Sequence, residues 1–194
     1  MTTERHPLEP FLPEAARILM LGSFPPKKEK WSMDFFYPNF INDMWRIFGT
    51  VFFLDKSHFI APDGKHFDRD SIKKFCEEKG IALYDTATEV IRLKDNASDK
   101  FLEVVSPTDI KGLLYRLPGC MAVVTTGEKA TDIVCSVFGC AKPETGSYTE
   151  IHLDGEFERD IHFYRMPSSS RAYPLPLDKK AEIYREMFLR EGLI

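Results

Sequence analysis

The chain has 194 residues, of which 43% are apolar and 13% aromatic. A domain of that size typically buries about 70% of the surface its unfolded form exposes, so one folded domain spanning residues 1–194 is expected, and a disordered tail or linker is excluded. The formal net charge of -4 and a pI near 5.8 exclude a global positive field of the kind that grips long nucleic acid through many phosphates, and leave only local patches.

Residues 17–21, RILML, form a buried strand that Gly22 and the Pro25-Pro26 pair stop abruptly. A loop through KKEKW leads into FFYPNFINDMW at 35–45, where Asn39 and Asn42 sit among aromatic side chains, and a helix over 42–49 turns Trp45 and Phe48 inward. Residues 50–69 carry the apolar patch VFFL and a Pro-Asp-Gly turn at 62–64, and read as loop or short irregular elements. The next helix begins at the cap Asp70, buries Ile72, Phe75 and Cys76, and stops at Gly80. IALYD at 81–85 is the second strand, followed by a polar loop rich in Asp and Asn.

In SPTDIKGLLYRLPG, Ser106 is the expected cap, Pro107 takes the first helical position, Asp109 closes the capping box and Pro118-Gly119 ends the helix. Its buried face is Ile110, Leu113, Leu114 and Leu117. CMAVVTT is a strand, and EKATDIVCSVFG is a helix with Ala130, Ile133, Val134 and Val137 inward and Gly139 as its stop. Glu150, Asp154, Glu156, Glu158 and Asp160 mark a solvated hairpin or loop. IHFYRM is the fourth strand and runs into PSSSRAYPLP; residues 178–190 form a last amphipathic helix on Ala181, Tyr184 and Met187 or Phe188. Strands alternating with helices predict a three-layer α/β/α sandwich around a short, mainly parallel sheet.

Open sheets of this kind bind ligands beyond the carboxyl ends of their strands. Four segments fall there: GSFPP, DTATEV, TTGEKA and PSSSRAY. GSFPP lacks the glycines of a dinucleotide fingerprint and the Lys-Ser or Lys-Thr of a phosphate loop, and no G-x-S-x-G or H-E-x-x-H is present, so no cofactor or metal is expected. Cys76, Cys120, Cys135 and Cys140 show no C-x-x-C spacing and read as buried thiols of a reducing compartment. The first 17 residues carry acids and prolines in place of a signal peptide's apolar run, and no stretch reaches the about 18 apolar residues of a membrane span, so an intracellular, cytoplasmic protein is expected. TTGEKA could bind an anion at a helix start or simply cap it. Three hydroxyls and Arg171 in PSSSRAYP suit a phosphodiester or an ordinary surface turn, and Lys27, Lys28 and Lys30 suit a solvated turn or a DNA contact. Asp85, Asp95 and Asp99 are open candidates for acid-base work or loop hydrogen bonding.

Together the segments resemble the uracil-DNA glycosylase superfamily, most closely its hypoxanthine-DNA or mismatch-specific uracil/thymine-DNA glycosylase branch. GSFPP at 22–26 is similar to that family's first motif and MPSSSRAY at 166–173 to its last, the loop that presses into the minor groove. YPNFINDMW at 37–45 is similar to a segment in which a proline is followed by Asn-x-x-Trp, here with two extra residues before the asparagine. YDTATEVIRLKDNASDKF is similar to the pocket-shaping segment, and TDI at 108–110 and TTGEKA also fit, so the resemblance covers about residues 17–190.

The resemblance implies the sandwich fold and a monofunctional glycosylase that hydrolyses the N-glycosidic bond of uracil or hypoxanthine in double-stranded DNA containing a damaged or mismatched base. It implies no obligate protein partner and no membrane partner. It assigns water positioning to Asn42, with Asn39 as alternative, since Ser23 occupies the slot where many relatives hold an Asp or Asn. It assigns the base pocket to Ser23, Phe24, Phe35, Phe36, Tyr84 and Asp85, a supporting role to Asp99, and DNA binding to Ser168, Ser169, Ser170 and Arg171. The residues themselves leave alternatives: Asn42 is also a helix cap, and Phe35, Phe36 and Tyr37 are also core. A hydrolase of free nucleosides or nucleotides, or a noncatalytic DNA-damage sensor, would share many of these features.

Overall fold

The structure, a computed structural model, describes residues 2–93 and 101–194. Its strands are β1 (Thr3–Arg5), β2 (Ile18–Gly22), β3 (Ile81–Asp85), β4 (Ala87–Arg92), β5 (Leu102–Pro107), β6 (Ala122–Thr125), β7 (Ser147–Leu153) and β8 (Arg159–Arg165). Its α-helices are α1 (Met44–Phe53), α2 (Arg69–Lys79), α3 (Ile110–Tyr115), α4 (Glu128–Phe138) and α5 (Leu177–Arg190), with one 3-10 turn at Lys28–Lys30.

A five-stranded sheet in the order β3-β2-β6-β8-β7 forms the centre, parallel except for the antiparallel edge strand β7. Every residue of β2, β3 and β6 is buried, as strands covered on both faces require, which is why they read as continuous apolar runs. On one face α1, α2 and α5 meet through an aromatic layer in which Phe48 lies 5.2 Å from Phe188 and 5.9 Å from Phe75 between ring centroids. On the other, α3 and α4 touch through Lys111 over the Phe138 ring. The expected three-layer α/β/α sandwich is the fold. Among the described residues, no helix is long and apolar enough to cross a membrane.

Several boundaries differ from the sequence reading. α1 starts later and runs through the VFFL patch to Phe53, because Val51 extends its buried face; Leu54, in the left-handed region at φ 57°, ends it. α2 is capped by Asp68, whose carboxylate accepts the Ser71 amide at 3.1 Å, and not by Asp70. Gly80 and Gly139 do stop their helices, at φ 68° and 63°. Ser106 and Pro107 belong to β5 and not to a helix, since Ser106 pairs with Glu89 across the ladder and donates its hydroxyl to the Glu89 carboxylate at 3.0 Å. Asp109 is therefore the cap of α3, accepting the Gly112 amide at 2.9 Å. The acidic 150–160 segment is a hairpin of β7 and β8, and α5 buries both Met187 and Phe188.

The larger departure is a second sheet, of three antiparallel strands in the order β1-β4-β5, where the sequence reads as loop. It has its own small core of Ala87, Val90 and Leu102, against which Phe24 packs. Arg92 locks it together: its guanidinium donates to both Glu4 carboxylate oxygens at 3.1 Å and to the Pro25 carbonyl at 3.2 Å, joining the N-terminal strand to the loop after β2.

Candidate functional site

The parallel strands β2, β3, β6 and β8 end together, since Gly22 pairs with Asp85, Leu21 with Thr125, and Thr125 with Arg165. Beyond these ends lies a cleft of about 1610 Å³. Its wall contains Phe24, Phe36, Asn39, Asn42, Asp85, and the whole Ser168–Ser169–Ser170–Arg171 loop, so most of the residues singled out in the sequence face one space. The start of α4 also opens onto it through Thr126 and Gly127, with no side chain capping that helix.

Three nominated pocket residues are not in the wall. Phe35 is buried in the core, edge-on to Phe11 and Phe36 and stacked at 6.3 Å on Trp45. Tyr84 lies behind the cleft between His6 and Phe36, and burial, reinforced by the Asp85 and Glu9 carboxylates, pushes its phenol up. Ser23 is buried too. Side chains alternate across a strand and its immediate extension, so consecutive residues such as Tyr84 and Asp85 cannot both face the opening. Asp95 and Asp99 lie outside the described residues.

Both asparagines serve the local backbone. Asn39 Oδ1 accepts the Ile41 amide at 3.1 Å, a side-chain turn, and Asn42 Oδ1 accepts the Met44 amide at 2.9 Å, satisfying a first-turn donor of α1. A side-chain carbonyl oxygen has two lone pairs, so each keeps acceptor capacity, and the Asn42 amide nitrogen keeps its donors. Two residues before Asn39, Tyr37 adopts φ 50°, an unusual left-handed conformation for a side chain of that size, and its hydroxyl shares a 3.0 Å hydrogen bond with Thr126.

Asp85 is held from two directions. Its carboxylate rests against Gly22, where an added Cβ would lie 2.2 Å from Oδ1, so only glycine allows this approach. Its other oxygen lies 2.8 Å from His6 Nε2. The His6 side chain is only 2% exposed, with its second nitrogen 2.8 Å from the Leu8 carbonyl and its ring beside Tyr84, Phe24 and Phe36. Sequence reasoning gave His6 no role, because its neighbour is 79 residues away and it becomes adjacent only when β1 pairs with β4.

The serine loop is tied to the start of α1. The Asp43 amide donates to the Ser169 carbonyl at 2.9 Å, and the Asp43 carboxylate accepts from Arg171 at 3.1 Å and from Lys180 at 3.2 Å. Lys180, 1% exposed, also donates to the Ser170 carbonyl at 2.8 Å. It was missed as well, although its spacing carries a signal: Lys180, Tyr184 and Phe188 recur every four residues along the buried stripe of α5. The Ser168 and Ser170 hydroxyls accept the amides two residues on, at 3.2 Å, which shapes the turn. Of the lysines near the 3-10 turn, Lys30 faces the cleft, whereas Lys28 pairs with Asp34 and covers the Trp31 ring.

No family model and no curated protein matches the chain. Among solved structures it is similar to the solution NMR structure of a "putative Uracil DNA glycosylase" from Methanosarcina acetivorans, at 20% identity and a TM-score of 0.63, over 96% of this chain and 99% of that one. At that identity the likeness shows a shared fold: this chain has the architecture of that structure along nearly its whole length.

Proposed function

We propose that the chain is a single-domain, monofunctional DNA glycosylase that hydrolyses the N-glycosidic bond of a deaminated base, uracil ahead of hypoxanthine, in double-stranded DNA. The observation that carries the reading is the convergence on one cleft of Asn42 and Asn39, the Phe24 ring, the Asp85 carboxylate and the serine loop. The shared fold with the archaeal structure, whose printed description names a uracil DNA glycosylase, supports it.

Cleavage of the bond expels an anionic base and leaves oxocarbenium character on the sugar, so the site needs a stacking surface, a polar partner for the base edge and a held water. Phe24, half-buried in the wall and edge-on to His6, supplies the ring, and stacking of this kind is worth about 1–3 kcal/mol per base. Asp85 accepts a base N–H. Asn42, fixed by its bond to the Met44 amide, uses its remaining lone pair to orient water toward the sugar; the water oxygen bonds to the anomeric carbon as the carbon–nitrogen bond breaks, and the proton leaves with the base. An amide is no strong base, so most of the rate comes from geometry and from stabilising the leaving group. The noncatalytic sensor has one observation in its favour, that Asn42 already has a structural task in accepting the Met44 amide just before α1.

Single-turnover reactions on matched duplexes carrying deoxyuridine, deoxyinosine or a G:T mismatch, developed with alkali, test the reading. Strand breaks should appear at uracil fastest, then hypoxanthine, and only after alkali. Preference for thymine would overturn the substrate ranking; no break on any duplex would overturn the enzyme.

A further inference from the structure

The cleft is a poor place to grip a polyanion. Lys30, Lys129, Arg165 and Arg171 in its wall are matched by Asp85, Glu103, Glu128 and Asp132, and Arg165 lies 3.9 Å from Glu128. Immediately behind Arg171, which borders both spaces, is a second pocket of about 400 Å³ with an excess of positive charge. Arg46, Lys56, Arg171 and Lys180 line it, against the single carboxylate of Asp43.

That carboxylate is already shared between Arg171 and Lys180. Arg46 donates from one guanidinium nitrogen, Nη1, to the Phe40 and Asn42 carbonyls at 2.7 and 3.1 Å, which carry no formal charge to offset it. Burial and the adjacent Arg171 guanidinium pull the Arg46 pKa down, against the weaker opposing effect of Asp43. Lys56 is exposed at the mouth, and no carboxylate pairs with it among the described residues; the neighbouring Asp55 carboxylate accepts the Ser57 amide at 2.8 Å. Ser57 adds a hydroxyl, and Leu177, the first residue of α5, brings an amide from a helix start that no side chain caps. Four cations around one carboxylate, two of them nearly buried, form a site whose charge is completed by an anion.

We propose that this pocket between α1 and α5 is a phosphate site that takes a backbone phosphodiester of the DNA strand lying in the cleft. The proposal rests on the reading that the cleft takes DNA. A strand leaving the cleft past the serine loop crosses Arg171 and meets the pocket next, so the phosphate held there anchors the strand while Asn42, one residue before Asp43, faces the sugar. Asp43 thereby couples the anchor to the site, through its amide on Ser169 and its carboxylate on Arg171 and Lys180.

The test is equilibrium binding of a uracil-containing duplex over a salt series by the unchanged protein, Lys56→Ala and Lys56→Glu, with Lys74→Ala, on α2 and in the wall of neither pocket, as a control for lost charge. Lys56→Ala should weaken binding several-fold and flatten the plot of log affinity against log salt by about 0.9, the contribution of one phosphate contact. Lys56→Glu should go further, and Lys74→Ala should change neither quantity. Equal behaviour of the Lys56 and Lys74 variants overturns the proposal. In a second arm, inorganic phosphate should shift the Ser57 and Leu177 amide resonances, and duplex should displace it. If phosphate shifts them while Lys56 variants bind duplex like the unchanged protein, the pocket holds a small free anion and the strand assignment is overturned. Binding that depends on Lys56 without release of any base leaves the phosphate site standing and removes the glycosylase; base release with binding independent of Lys56 does the reverse. No duplex binding at all removes both.

Discussion

His6 and Asp85 form the contact on which the pocket's polar edge depends. A carboxylate 11% exposed and seated against Gly22 keeps one orientation only if its second oxygen is satisfied, and the buried imidazole 2.8 Å away does this. His6→Phe retains a ring among Phe24, Phe36 and Tyr84 but removes the partner, and should cost about 1.5–3 kcal/mol in denaturant unfolding. In a double-mutant cycle with Asp85→Ala the two losses should be strongly coupled, because either change breaks the same bond. Additive losses would show that the imidazole serves packing alone. Nothing in the first residues of the sequence announces this: a histidine between Arg5 and Pro7 reads as an exposed N-terminal residue until a strand pairing brings it inward.

Among the elements, those that fill the core were legible and those that pair at long range were not. β2, β3 and β6 are short apolar runs ended by turn residues, and α2, α4 and α5 show helical spacing with glycine stops where expected, apart from α5. The β1-β4-β5 sheet was hidden because much of each strand is partly or fully exposed, so none of the three reads as an apolar run. Its capture of Ser106 and Pro107 also turned a sound capping-box pattern into the wrong helix start.

The β7–β8 hairpin was legible as acidic, but its histidine was not connected with those acids. His152 on β7 lies 2.8 Å from Asp160 and within 3.6 Å of Glu158 and Asp154. The Asp160 hydrogen bond, aided by the surrounding carboxylates, raises its pKa against the opposing effect of desolvation. A folded-state value above the unfolded one means stabilisation that is fully present below the ordinary imidazole range and lost as pH rises through the raised value. The melting temperature of the unchanged protein should therefore exceed that of His152→Gln by more at about pH 5.5 than at about pH 8.5, with the difference shrinking in high salt. A gap that widens with pH would contradict the sign.

At the scale of the whole molecule, the parallel sheet collects the candidate residues and the second sheet closes one side of the cleft. The sequence revealed which segments fall at strand ends, because that follows from strand order; it did not reveal that Phe35 and Tyr84 face inward, which depends on side-chain alternation and packing. For Asn42 it left a helix-cap reading beside the water-positioning role that the resemblance implies. The cap of α1 is Asp43 and not Asn42, which stands one residue before it and accepts the Met44 amide, so Asn42 is proposed to hold both this backbone bond and the water. Asn42→Ser separates the two roles, since serine keeps an oxygen for the Met44 amide and loses the side-chain amide, whereas Asn42→Ala loses both at a stability cost of about 1 kcal/mol. The decisive measurement is the single-turnover rate of uracil release from duplex DNA by Asn42→Ser, with its melting temperature and its affinity for the same duplex. The account predicts a protein that stays folded, still binds, and releases uracil slower by about 10²-fold or more than the unchanged chain; release at the unchanged rate would contradict it.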